Sequence, residues 1–142
     1  MIVLDASVAV KWFRDEDNSD LAEALLMENR GELVVPDLFV IEVAGALVRE
    51  ANMNKPVAAE MRLALSRLVE MIDAGAFESI RLDPDRLATA AALAIALGHP
   101  LKDCLYLALA QDLACPLVTA DARFAERARG VYSGVRVLGD GA

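Results

Sequence analysis

The sequence predicts a single α/β domain whose parallel sheet is flanked by helices on both faces. Three observations predict it. Short apolar runs at 2–4, 33–35, 77–82, 116–119 and 135–138 alternate with longer helical stretches, the pattern of βαβ units. The 142 residues fit one domain and show no repeat, linker or low-complexity segment. Apolar residues make up 56%, and the Ala and Leu that supply much of this share favour helix.

In chain order, Ile2-Val3-Leu4 reads as a buried strand and Ser7 to Phe13 as a helix. The polar, acidic stretch Arg14 to Asp20 is a solvated loop leading into a second helix. Leu33 to Val35 is the next strand. Pro36-Asp37 opens a third helix, with Asp37 as its N-cap, running to about Ala51. Lys55-Pro56 starts a fourth, since proline suits the first helical position. Met61, Leu65, Leu68 and Ile72 form its apolar stripe, and Gly75 ends it. Phe77 to Leu82 reads as a strand. Asp83-Pro84 caps and starts a helix that Gly98-His99-Pro100 stops. Lys102 to Ala114 is apolar on nearly every side, so it belongs in the core. Pro116 to Thr119 is a strand, Asp121 begins a short helix, and Val135 to Leu138 is the last strand before a loose tail, Gly139 to Ala142.

No apolar run approaches the roughly 20 residues that span a bilayer. The start, MIVLDAS, lacks the basic segment of a signal peptide, so a cytoplasmic protein without a membrane role is expected. Cys104 and Cys115, the only cysteines, would sit about 16 Å apart on one helix, too far for a disulfide. They read as buried thiols of a reducing compartment, without zinc-site spacing. The net charge of −8 runs against nucleic-acid binding. It is compatible with that function only if acids converge on a metal and a basic rim meets the phosphates.

Four acids invite closer reading. Asp5 follows the first strand, where an α/β sheet places its ligands, and equally where an N-cap belongs. Glu42 interrupts the otherwise apolar LFVIEVAGALV. Gly45, Ala46 and Arg49 share its helical face, which is either a solvated stripe or the wall of a cleft. Asp103 lies in the first turn of the buried helix, where the helix dipole alone would favour it. Asp112, nine residues on, takes the opposite face and points to solvent. Asp121 follows LVT directly, as a cap or a ligand, without a capping box. Right-handed crossovers would bring the ends of these elements to one side of the sheet. Carboxylates crowded there repel and raise one another's pKa, which a hard divalent cation relieves.

LDAS near the N-terminus, the Glu of VIEVAGAL, the Asp of PLKDCLYLALA, and LVTADARF near the C-terminus occur in the order of a known family. Over nearly its whole length the chain resembles a PIN domain, most closely the toxin ribonucleases of bacterial VapBC toxin–antitoxin pairs. The resemblance implies a parallel five-stranded sheet flanked by helices, and Mg²⁺- or Mn²⁺-dependent cleavage of RNA. It implies Asp5, Glu42, Asp103 and Asp121 as the catalytic carboxylates, with Asp5, Asp103 and Asp121 on metal. Glu42 is either a ligand or the general base. Ser7 and Thr119 match the polar residues beside the first and last acids. A homodimer and a cognate antitoxin that blocks the active site are implied as partners.

Lys11, Arg14, Lys102, Arg123 and Arg127 are the candidate phosphate contacts, each of them also readable as an ordinary surface charge. Trp12 stacks on a base or is simply buried in its helix, the preferred reading. His99 reads as a surface turn residue. With no second histidine and no nucleophile near His99, a hydrolase triad is not expected, and no glycine-rich nucleotide fingerprint is present. A phosphatase using Asp5 as nucleophile would need a lysine late in the chain, whereas the last one is Lys102. The remaining alternative is a degenerate fold of the same family that only binds a partner.

Overall fold

A computed structural model describes residues 1–140; Gly141 and Ala142 of the tail lie outside the described residues. Five strands form one sheet: β1 (Ile2–Leu4), β2 (Leu33–Pro36), β3 (Glu78–Ile80), β4 (Leu117–Thr119) and β5 (Val135–Val137). Their order is β3-β2-β1-β4-β5, and every neighbouring pair is parallel. The chain therefore builds outward from β1 on one side, then returns to build outward on the other. The switch falls between β1 and β4, where Val3 pairs with Leu117 and Leu4 with Val118.

Seven α-helices connect the strands among the described residues. They are α1 (Ala6–Ala9), α2 (Ser19–Glu28), α3 (Phe39–Met53), α4 (Ala58–Asp73), α5 (Pro84–Leu97), α6 (Leu101–Leu113) and α7 (Ala122–Arg129). Both faces of the sheet are covered. Successive strand residues point to opposite faces, yet Val3 and Leu4 are both buried, as are Leu33, Val34 and Val35. Helix α6 packs on β1, β2 and β4, and α3 on α4. Every residue from Cys104 to Ala110 is buried, as the apolar run requires. A smaller core of Ala90, Cys104, Leu105 and Ala108 joins α5 to α6. Both cysteines are buried and free, and burial pushes their thiols up. Among the described residues no single helix is long and apolar enough to cross a membrane.

Several local expectations are corrected. The first helix is one α-turn, Ala6–Ala9, continued by a 3₁₀ turn at Val10–Trp12. Asp37 does not cap α3: that helix starts at Phe39, and the Asp37 carboxylate accepts from the Leu82 amide at 3.2 Å, clipping the end of β2 to the end of β3. Pro56 lies in a 3₁₀ turn (Lys55–Val57) ahead of α4 rather than at its first position. The buried stripe of α4 is Met61, Ala64 and Leu68, with Leu65 at its margin, while Ile72 is exposed. Strand β3 pairs over only three residues because just Glu78, Ser79 and Ile80 face β2 in register.

Candidate metal centre

Asp5 leaves β1 with extended backbone and occupies the N-cap position of α1, but its side chain caps nothing. It is buried, and two hydroxyls donate to one oxygen, Oδ2: Ser7 Oγ at 2.6 Å and Thr119 Oγ1 at 2.7 Å. The pairing of β1 with β4 sets Thr119 beside Asp5. The Ala120 amide donates to Ser7 Oγ, and the Asp121 amide to Thr119 Oγ1, both at 3.0 Å. Every hydroxyl in this group is thereby oriented, and Asp5 Oδ1 accepts no hydrogen bond from the described residues.

Asp103 sits in the first turn of α6, whose N-cap is Pro100. Its Oδ2 lies 2.7 Å from His99 Nε2. Asp121 is the N-cap of α7, its Oδ1 accepting from the Phe124 amide at 3.0 Å. Here the capping reading is realised, and the second oxygen stays free of hydrogen bonds among the described residues. Glu42 projects from the first turn of α3, where the buried Tyr106 hydroxyl donates to its Oε1 at 2.7 Å. Lys102 Nζ stands 3.5 Å from the other oxygen.

Asp5, Ser7, Glu42, Asp103 and Asp121 line one cleft of about 360 Å³, together with Gly45, Ala46, Arg49 and Lys102. It opens at the carboxyl ends of β1 and β4, where the strand order switches, the usual ligand position in such sheets. Gly45 and Ala46 leave the wall beside Glu42 open, as their place on its helical face suggests.

The electrostatics ask for a cation. Burial pushes the Asp5 carboxyl up from 3.8 to about 6; the Ser7 and Thr119 hydroxyls pull it down, and the charges of Asp103 and Glu42 push it up again. Among the described residues, neither Asp5 nor Asp121 has an ion-pair partner. One ligating atom each from His99, Asp103 and Asp121 lie within 4.8 Å of one another. That is the set whose atoms are close enough to share one ion among the described residues; Asp5 and Glu42 face the same cleft outside it, and carboxylate oxygens of this kind suit a hard divalent ion.

The cations expected to meet phosphate divide. Lys11 is held by Glu16 (3.2 Å) and the Asp17 carbonyl (2.8 Å). Arg14 pairs with Glu16 at 3.2 Å and approaches Glu50 at 4.0 Å. Arg127 donates to the Gly98 carbonyl and to His99. Lys102 is exposed on the cleft, and Arg123 is exposed in the first turn of α7. Arg49, read in the sequence only as a companion of Glu42, lines the cleft with no ion-pair partner among the described residues. Trp12 is partly buried, and its indole N–H donates to the Ala22 carbonyl. Asp112 is exposed and pairs with Arg86 at 2.9 Å.

The residue missed was His99, whose side chain is only 7% exposed. It stacks on Phe124 with ring centroids 4.9 Å apart. Its place four residues before Asp103, a one-turn spacing, was the available signal.

The family model described as PIN domain matches residues 2–130. Ribonuclease VapC12 of Mycobacterium tuberculosis is 32% identical over 127 residues, which cover 89% of this chain and 91% of that protein. Among solved structures, PAE2754 from Pyrobaculum aerophilum superposes with a TM-score of 0.70 at 20% identity, over 96% of this chain and 88% of that one. A toxin–antitoxin complex from Klebsiella pneumoniae gives 0.65 at 18% identity, over 96% of each chain.

Proposed function

The chain belongs to the PIN domain family, and on that footing we propose that it is a metal-dependent endoribonuclease, the toxin of a toxin–antitoxin pair. The observation that carries this reading is the convergence of Asp5, Glu42, Asp103 and Asp121 from four separate segments onto one cleft. The relation to Ribonuclease VapC12 supports RNA as the substrate. The toxin–antitoxin complex among the similar structures supports a cognate antitoxin. A homodimer and a cytoplasmic location belong to the same proposal.

Mg²⁺ or Mn²⁺ is the proposed cofactor, held by Asp5, Asp103 and Asp121. Such an ion would supply charge neutralisation at the phosphoryl oxygens and would lower the pKa of water, so that a proton is lost more easily as the oxygen attacks phosphorus. Asp5 offers Oδ1, because its other oxygen is taken by Ser7 and Thr119. Asp121 offers the oxygen not used to cap α7. Tyr106 holds Glu42 by Oε1, and Oε2, which faces the Lys102 ammonium at 3.5 Å, would take the proton of the attacking water as general base. Arg49 and Lys102, which line the cleft, and the exposed Arg123 are the proposed phosphate contacts. Lys11 and Arg14 are engaged elsewhere and serve the loop.

The test is induced expression in a bacterial host, with genome-wide mapping of new RNA 5′ ends. The wild-type chain generates discrete new ends and slows growth; Asp5→Ala, produced at equal level, generates none. Identical 5′-end profiles from the two would overturn the nuclease reading.

A further inference from the structure

His99 lies between a cation and one of the proposed ligands. Arg127 Nη1 approaches its Nδ1 at 3.1 Å and the Gly98 carbonyl at 3.0 Å. Arginine has only donors, so Nδ1 keeps its lone pair and accepts. The ring proton then sits on Nε2, which donates to Asp103 Oδ2 at 2.7 Å. The ring cannot swing: it is nearly buried and lies against Phe124 at an interplanar angle of 24°. Phe124 in turn supplies the amide that holds Asp121. Gly98 reverses the chain at the end of α5 with φ +61°, which places His99 one turn before Asp103.

We propose that His99 is a positioning residue: a relay from Arg127 through its imidazole fixes the Asp103 carboxylate and, through Phe124, registers it against Asp121. The proposal rests on the metal-site reading above. It assigns His99 a place behind the ligands rather than among them, although its ring lies close enough to Asp103 and Asp121 for coordination. The Nε2 proton is what separates the two roles, because a ligating nitrogen must give up its proton. Imidazole hydrogen-bonded to a carboxylate is a familiar way to orient metal ligands; here the carboxylate is the ligand and the imidazole its support.

His99 is the only histidine, so its signals assign themselves. Ring-nitrogen NMR of the metal-free protein is expected to show the Nε2–H tautomer alone, and Arg127→Met to mix the tautomers. A proton on Nδ1 in the wild type would overturn the relay. Mn²⁺ titration followed by electron paramagnetic resonance is expected to weaken about 10- to 100-fold in His99→Ala. His99→Gln, whose amide still donates to Asp103, should recover most of that loss. Thermal unfolding of both variants without metal controls for folding. Pulsed resonance on bound Mn²⁺ should show no directly coordinated nitrogen; such a coupling would make His99 a ligand and overturn the proposal. Equal Mn²⁺ affinity in wild type and His99→Ala would sink this inference alone. No Mn²⁺ binding by the wild type would sink the metal-site reading and this inference with it.

Discussion

Asp5 concentrates the conflict between folding and chemistry in one side chain. Its carboxyl, ordinarily near 3.8, is pushed by burial up to about 6. A folded-state pKa above the unfolded value means that the folded chain holds the proton more tightly. Stability from this group is therefore intact below about pH 4, declines as pH rises through about 6, and stays lost at neutral pH. The shift corresponds to about 3 kcal/mol, a strain that bound metal would offset. Asparagine at this position keeps an oxygen to accept from Ser7 and Thr119 but carries no charge. In EDTA at pH 7.5, Asp5→Asn should therefore raise the urea-unfolding free energy by about 1–3 kcal/mol. The gain should disappear near pH 4. Unchanged or lower stability at pH 7.5 would show that the buried charge is already compensated.

Elements place these side chains, and their ends matter more than their middles. Helix α6 stops at Ala114, which adopts φ +51° and lets the Cys115 amide reach back to the Ala110 carbonyl. An L-residue pays for that left-handed conformation, which glycine adopts freely. Ala114 is exposed, so Ala114→Gly should stabilise the fold by about 0.5–1 kcal/mol in denaturant titration, without altering Mn²⁺ affinity. Destabilisation would mean that unfolded-chain entropy outweighs the relieved strain. At its other end α6 presents Asp103, and the Gly98-His99-Pro100 turn ahead of it does more than end α5. The turn was legible from the sequence. The burial of His99 was not, because it depends on Phe124 and Arg127, 25 and 28 positions further along the chain. Asp37 shows the opposite failure: the cap signal is sound locally, but the Leu82 amide, brought close by β3, takes the carboxylate.

Across the molecule, a chain of net charge −8 must bind a polyanion through a few well-placed cations. Of the basic residues near the cleft, Arg49 and Lys102 line it directly. Binding of a single-stranded RNA oligonucleotide should show it, with Asp103→Asn as the background to prevent cleavage. Adding Arg49→Gln should lower the slope of log affinity against log salt by about 0.7, the loss of one phosphate contact. Lys11→Gln, which removes a cation already held by Glu16 and Asp17, should leave the slope unchanged. An unchanged slope in the Arg49 variant would remove it from the RNA path.

Apolar periodicity and strand–helix alternation alone determined the class of fold, the five strands and the burial of α6, because those signals are local and repeat along the chain. The four acids stood out as polar breaks at the ends of apolar segments or within one. Their convergence was settled by topology: the reversal of strand order between β1 and β4 sets Asp5 beside Thr119, 114 residues apart in sequence. Which cations are free was likewise decided in three dimensions, since Lys11 and Arg14 look no different from Arg49 until their partners are in place. Pairing depends on distance in space, and a sequence records only distance along the chain.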